Sequence, residues 1–383
     1  MTAAAAWSRR NMGADALRRV VLRALAKTAA GRALMRDRPL RLGALATLQV
    51  LAVTAVALAA PLWLLLLGPL LLGVPHVASD LRYFVVQPRV PWPRRALALV
   101  GVLLGLMTLQ RLALAVGAPL ELPAGVSPLQ SELALGAAAV AAALWLGGVR
   151  LRRWSALLLL GVALAAAWQA PKMALLAFAH GHNLVGPGWA LLLGWREAGR
   201  ADAAGRATDA FPARALVAGA ALTFFGVQGA LLGGAFDGVL AGLGGLSAPA
   251  TGLQLVDLEA QLAPDCTYPW SMRVAVSFAI AQAVHYAAWL RWLPQQWSPR
   301  RVPTPFAADV RGVVAALGAP LFLAIALAAI GLPLLALVVS PAEARVGYLH
   351  AVAFHGWLEL AAIGHLVAGG GGLGGPETGG SPS

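Results

Sequence analysis

Six side chains in this sequence could do chemistry from places where apolar surroundings should exclude them. His76 and Asp80 lie four apart in Gly73-Val74-Pro75-His76-Val77-Ala78-Ser79-Asp80, and His355 and Glu359 lie four apart in His355-Gly356-Trp357-Leu358-Glu359. Four-residue spacing puts both members of each pair on one helix face. His182 and His285 sit in two further apolar segments, with His180 two residues before the first and Tyr286 directly after the second. Neutral imidazoles with one or two carboxylates and no thiolate suit Fe(II), Mn, Zn or Cu. The lone Cys266 leaves no thiolate cluster and no intrachain disulfide to consider. In each pair the carboxylate either ligates the ion or orients its histidine. The metal-ligand candidates are therefore His76, His182, His285 and His355. His180 is held in reserve, because residues two apart diverge by about 200° on a helix. Gly181 and the Gly186-Pro187-Gly188 stretch could loosen the helix enough to admit both. Asp80, Glu359 and Tyr286 are the candidates for acid, base or hydrogen-bonding work. A lone histidine of this kind also has a bland reading, an interhelical hydrogen bond. Convergence of the whole set is what sets a metal site apart from such bonds.

The elements that must position these residues are membrane spans. Of 383 residues, 59% are hydrophobic and only 12% charged, about half the charged share of a soluble domain. That composition points to an all-α, polytopic transmembrane helical bundle. Ten spans are expected, near 43–59, 61–83, 96–116, 132–148, 155–170, 172–194, 214–235, 271–293, 312–339 and 344–367. Pro61, Pro171 and Pro341 fall between consecutive spans, where a proline opens a helix without losing a needed bond. The net charge of +13 is a matter of topology and not of nucleic-acid binding. Arginines recur in alternate connections (Arg89, Arg94 and Arg95; Arg150, Arg152 and Arg153; Arg196, Arg200 and Arg206; Arg300 and Arg301), while acids collect in the others. With lysine and arginine on the cytoplasmic side, both termini lie in the cytoplasm and the protein sits in the inner membrane. Arg111 and Arg345 break the alternation.

Residues 1–42 carry ten Lys/Arg against two Asp and read as a basic segment, with Leu17, Val20, Val21 and Leu25 on one helix face against the anionic leaflet. Residues 43–368 form the membrane domain. The Gly/Ser/Pro-rich tail, 369–383, is expected to be disordered. The connection 236–270 is either an irregular cap or a short interfacial helix. In this topology the second, sixth, eighth and tenth spans run in one direction. His76, His182, His285, His355 and Glu359 then share a slab roughly 10 Å thick at 1.5 Å rise per residue. His180 and His350 lie to one side of it, and His365 lies near the membrane boundary.

The Gly73–Asp80 element resembles the Gly-aliphatic-Pro-His-x-x-x-Asp element of the bacterial and archaeal β-carotene-cleaving dioxygenases, the Brp/Blh family, over eight residues. The His355–Glu359 stretch is similar to a second His-plus-acid segment of that family. The resemblance implies a membrane enzyme holding one non-haem Fe(II) through histidines from several spans. It also implies O2 as co-substrate, a carotenoid as substrate and a retinal-type aldehyde as product, with His76 as the best matched ligand. The residues alone support a broader reading, an oxygenase acting on a lipophilic substrate that enters from the membrane lipid. Their rival is a proton- or ion-coupled transporter relaying charge through the same histidines and acids.

Overall fold

The computed structural model describes residues 12–89, 92–118, 122–147, 150–203, 213–243, 255–298, 302–303 and 306–369. The expected tail 370–383 and residues Arg206, Arg300 and Arg301 lie outside them. Every regular element among the described residues is helical. The chain opens with α1 (Met12–Ala26), α2 (Ala29–Arg36) and α3 (Arg38–Ala59). Asp37 caps α3, its carboxylate accepting from the Leu40 amide at 2.8 Å. α1 leaves Leu17, Val20, Val21 and Leu25 exposed.

The site is carried by four of the elements that follow. α4 runs over Pro61–Val86, and its wide turns at Gly68–Gly73 and Leu81–Val86 bracket His76. Next come α5 (Arg94–Ala115), α6 (Pro128–Gly147) and α7 (Arg150–Gln169), then α8 (Pro171–Ala203), a helix of 33 residues with Pro187 inside it. α9 (Ala213–Leu232) is followed by the short helices α10 (Asp237–Leu243) and α11 (Leu255–Leu262). α12 (Trp270–Ala287) continues through a wide turn at Ala288–Trp292 into Leu293–Trp297. α13 (Phe306–Leu317), α14 (Ala319–Val338), α15 (Pro341–Val352) and α16 (Phe354–Gly369) complete the chain. Wide π-type turns carry one extra residue and concentrate at functional sites.

Helices occupy all ten places where spans are expected. Among the described residues, six are long and apolar enough to cross a membrane: Arg38–Ala59, Pro61–Val86, Arg94–Ala115, Pro128–Leu146, Ala213–Leu232 and Ala319–Val338. Most of the others are the helices that carry the chemistry. α8 bears His180 and His182, α12 bears Arg273, His285 and Arg291, and the α15–α16 pair is broken at Ala353 between His350 and His355. Polar side chains dilute the apolar signal where the helices meet.

α8 and α12 pack on each other, and α4 and α16 close the group. All four run in the same direction, as the side-chain contacts show. Arg345 bonds the Leu65 carbonyl at 3.1 Å, eleven residues before His76 and ten before His355. Ser79, just after His76, donates to the Trp289 carbonyl, just after His285, at 2.9 Å. Trp189, seven residues after His182, meets Trp289 with ring centres 6.3 Å apart. The connection 236–270 is partly helical: Leu258 and Leu262 of α11 are buried against Leu62, Leu65 and Leu66 and cap the N-terminal end of this group.

Candidate metal centre

His76 enters the centre from α4 between two wide turns, and the backbone is shaped for it. Gly73 lies so close to Tyr348 that a Cβ there would overlap the phenol ring. The glycine of the Gly-Val-Pro-His element is thus required by a side chain 275 positions later. On the facing helix, a Cβ at Gly186 would lie 2.7 Å from Trp289 Nε1 and 3.2 Å from His285 Nδ1. Gly186 lets α8 approach the ligand-bearing face of α12.

One ligand atom from each of His76, His285, His355 and Glu359 lies within 4.8 Å of all the others. His76 Nε2 and His285 Nε2 face each other at 3.1 Å. Glu359 Oε1 lies 3.2 Å from His285 Nε2 and 3.8 Å from His76 Nε2. Asp80 Oδ2 lies 3.5 Å from His76 Nε2. His76, Asp80, His285 and Glu359 are all fully buried. Two donors on one ion, each about 2.1 Å from it, lie roughly 3.0 to 3.4 Å apart. Most of the observed separations fall in or near that range.

A hydrogen bond orients one of the three rings. His355 Nδ1 sits 2.5 Å from the Val352 carbonyl, a bond it can make only as donor, which leaves Nε2 as the ligand nitrogen. His285 rests against the Asn183 backbone without standard hydrogen-bond geometry. Pro187, four residues on, has no N–H to give the Asn183 carbonyl. Trp289 sits beside Glu359, also short of hydrogen-bond geometry. Both oxygens of Asp80 and of Glu359 therefore lack a hydrogen-bond donor. An isolated buried carboxylate costs several kcal/mol, and here two face a set of imidazoles. A cation among the Nε2 atoms resolves the arrangement; shared protons are the other resolution. The donor set fits a divalent transition metal held by His76, His285, His355 and Glu359.

The remaining candidates divide. His182 stands next to this group, its ring centre 5.2 Å from those of His285 and His355, with Phe178 stacked on its far face. His180 points elsewhere: its Nε2 meets the Leu262 carbonyl at 3.0 Å and its ring packs on Phe278. α8 stays helical through Gly181, so the two histidines diverge as their spacing requires. Asp80 makes no pair with Arg82 and turns inward. Tyr286 is buried, with its ring 5.2 Å from that of His76. His365 stacks on Trp92 and meets the Ala143 carbonyl at 3.1 Å, away from the centre.

On one side the centre opens into a cavity of about 360 Å³ bordered by His182, Tyr286 and His355. On the other, Trp289, with its ring centre 6.2 Å from that of His76, and behind it Phe84, Trp189 and Trp297 close it with buried aromatic rings. The cavity's lining holds polar residues that the sequence did not single out for chemistry, Arg111, Glu132 and Arg345. Their signal was present, since Arg111 and Arg345 are the two arginines that break the alternation of charge between connections.

The fold and the centre together define a helical, membrane-like protein with a buried His3Glu group able to hold a metal ion. Compared with protein-family models, curated proteins and solved structures, the chain finds no match in any of the three.

Proposed function

We propose that this protein is a membrane-embedded, histidine-ligated non-haem iron oxygenase acting on a lipophilic substrate. The observation that carries the reading is the convergence of His76, His285, His355 and Glu359 beside a second buried carboxylate, Asp80. Three imidazoles and a carboxylate suit Fe(II) and leave room for further ligands. Bound iron would supply the reaction with dioxygen. The chain's own contribution is to hold the His355 imidazole by its Nδ1, to place Asp80 against His76, and to keep bulk water from the far side with the aromatic layer. Tyr286 and His182 border the cavity next to the centre, where they can hydrogen-bond a substrate oxygen. The eight-residue resemblance of Gly73–Asp80 to the Brp/Blh dioxygenases supports iron and double-bond cleavage of a carotenoid-like chain.

A proton- or ion-coupled carrier would need a polar path to both faces, and two observations disfavour one. The aromatic layer abuts the centre. Two deep amides are spent within the fold, Gln110 donating to the Pro128 carbonyl and accepting from Ser131, and Gln228 accepting from Ser277 at 2.6 Å, while Gln282 borders the cavity. The test is elemental analysis and an absorption spectrum of the detergent-purified protein, with His76→Ala and His365→Ala beside it. Near-stoichiometric iron without a Soret band, lost in His76→Ala and kept in His365→Ala, is expected. Metal-free wild-type protein would overturn the oxygenase and promote the carrier.

A further inference from the structure

The cavity beside the centre contains a cation that the metal site does not use. Arg345 is 96% buried, from 4% relative exposure, and borders the cavity. Among the described residues no carboxylate pairs with it. Only its Nε is engaged, by the Leu65 carbonyl at 3.1 Å. That carbonyl is available because Pro69, four residues further on, has no N–H to offer it. The proline-freed carbonyl engages Nε, and among the described residues neither terminal nitrogen of this cavity-lining side chain has a hydrogen-bond partner. The neighbouring cation, Arg111, is already neutralised by an ion pair with Glu132. Tyr286, Tyr348 and His350 are the other titratable side chains near Arg345 on the cavity wall. A buried guanidinium without a counter-ion in an apolar bundle is costly and marks a ligand site.

The geometry also gives the ligand a length and a direction. Arg345 and His355 are ten residues apart along α15 and α16, roughly 15 Å at 1.5 Å per residue. Between them the wall is largely apolar, with Leu349, Val352 and Phe178. A cavity of about 360 Å³ falls at the low end of ordinary ligand pockets and is small for a two-chain lipid. We infer that the cavity binds a single-chain amphiphile by its terminal carboxylate, with the Arg345 guanidinium as anion partner and the chain running toward His182 and His355. Terminal guanidinium nitrogens match the two oxygens of a carboxylate. That this ligand is the substrate rests on the oxygenase reading; that it binds does not.

The test uses the full chain in nanodiscs of neutral lipid, with oleate and methyl oleate as probes, equal in chain and different in charge. Wild-type protein is expected to bind oleate at least tenfold more tightly than methyl oleate. Arg345→Gln should remove that preference while leaving methyl oleate affinity within about twofold. Val346→Trp, at the partly exposed wall beside Arg345, should block both probes without altering charge, and decides the matter if Arg345→Gln does not fold. Equal affinity of wild type for the two probes, unchanged oleate binding in Arg345→Gln, or unchanged binding of both in Val346→Trp would overturn the inference. Metal content is measured on the same samples. Oleate preference without metal keeps this inference and sinks the oxygenase; bound iron without oleate preference does the reverse.

Discussion

Glu359→Gln is the substitution that separates a metal centre from a polar knot most sharply. It preserves shape and removes one charge from a fully buried position. With a divalent ion, Asp80 and Glu359 bring the centre to neutrality; with glutamine the loaded centre keeps a buried positive charge. At an effective dielectric near 20, two unit charges about 4 Å apart interact by about 4 kcal/mol. At about 1.4 kcal/mol per decade, losing one such interaction weakens metal binding by about a thousandfold. Without metal the sign reverses, because the wild-type carboxylates then sit buried without donors, and neutralising one relieves that cost. The assay is thermal unfolding of the purified protein with and without added Fe(II), together with chelator titration. Wild type should be the more stable protein when loaded, and the variant the more stable after chelation. If the order is the same in both conditions, or if the variant holds metal as tightly as wild type, the carboxylate is not a ligand and the reasoning fails.

Two further outcomes test the scaffold. Gly73→Ala should destabilise the protein by about 1–3 kcal/mol, the usual cost of overpacking, because the new Cβ overlaps Tyr348. In Gly73→Ala/Tyr348→Ala the combined loss should be smaller than the sum, as read by thermal unfolding of the four proteins, and simple additivity would refute the contact. Asp237, outside the spans, is held below its usual carboxylate range chiefly by hydrogen bonds from Arg273, one of them at 3.0 Å. A depressed folded value stabilises above the unfolded value and is lost as pH falls through the folded one. Asp237→Asn should therefore cost a small amount of stability near neutral pH and nothing in strong acid. A difference that grows on acidification would contradict the pair.

The helical class and the identity of the converging residues were legible because buried imidazoles and carboxylates stand out against an apolar background. Direction and depth put His76, His182, His285, His355 and Glu359 in one slab, and the fold brings four of them within ligand distance with His182 beside them. His182 and His180 were separable by the angle between residues two apart. The number of spanning helices was harder to read, since the helices bearing the site lose the apolar signal that defines a span. Asp80 and Arg82, also two apart, part by the same helical angle, and Asp80 is the one that turns to His76. Gly73 was legible as part of a motif but not as a packing site, because its partner Tyr348 is remote in sequence. Arg345 was noticed only as an exception to a charge rule. Nothing local could show that its neighbour across the bundle is the Leu65 carbonyl.

Prolines link these features. A helix gives up one backbone donor at each internal proline, and four residues earlier a carbonyl loses its partner. In an apolar bundle that carbonyl must find another donor, since water is scarce. Pro69 leaves the Leu65 carbonyl to Arg345, and Pro187 leaves the Asn183 carbonyl beside His285. The first holds the cation of the cavity and the second borders a ligand of the centre, on two helices that run in the same direction. Proline in these helices thus does more than kink them. At Leu65 it turns a backbone acceptor, otherwise consumed within the helix, into the partner of a buried guanidinium.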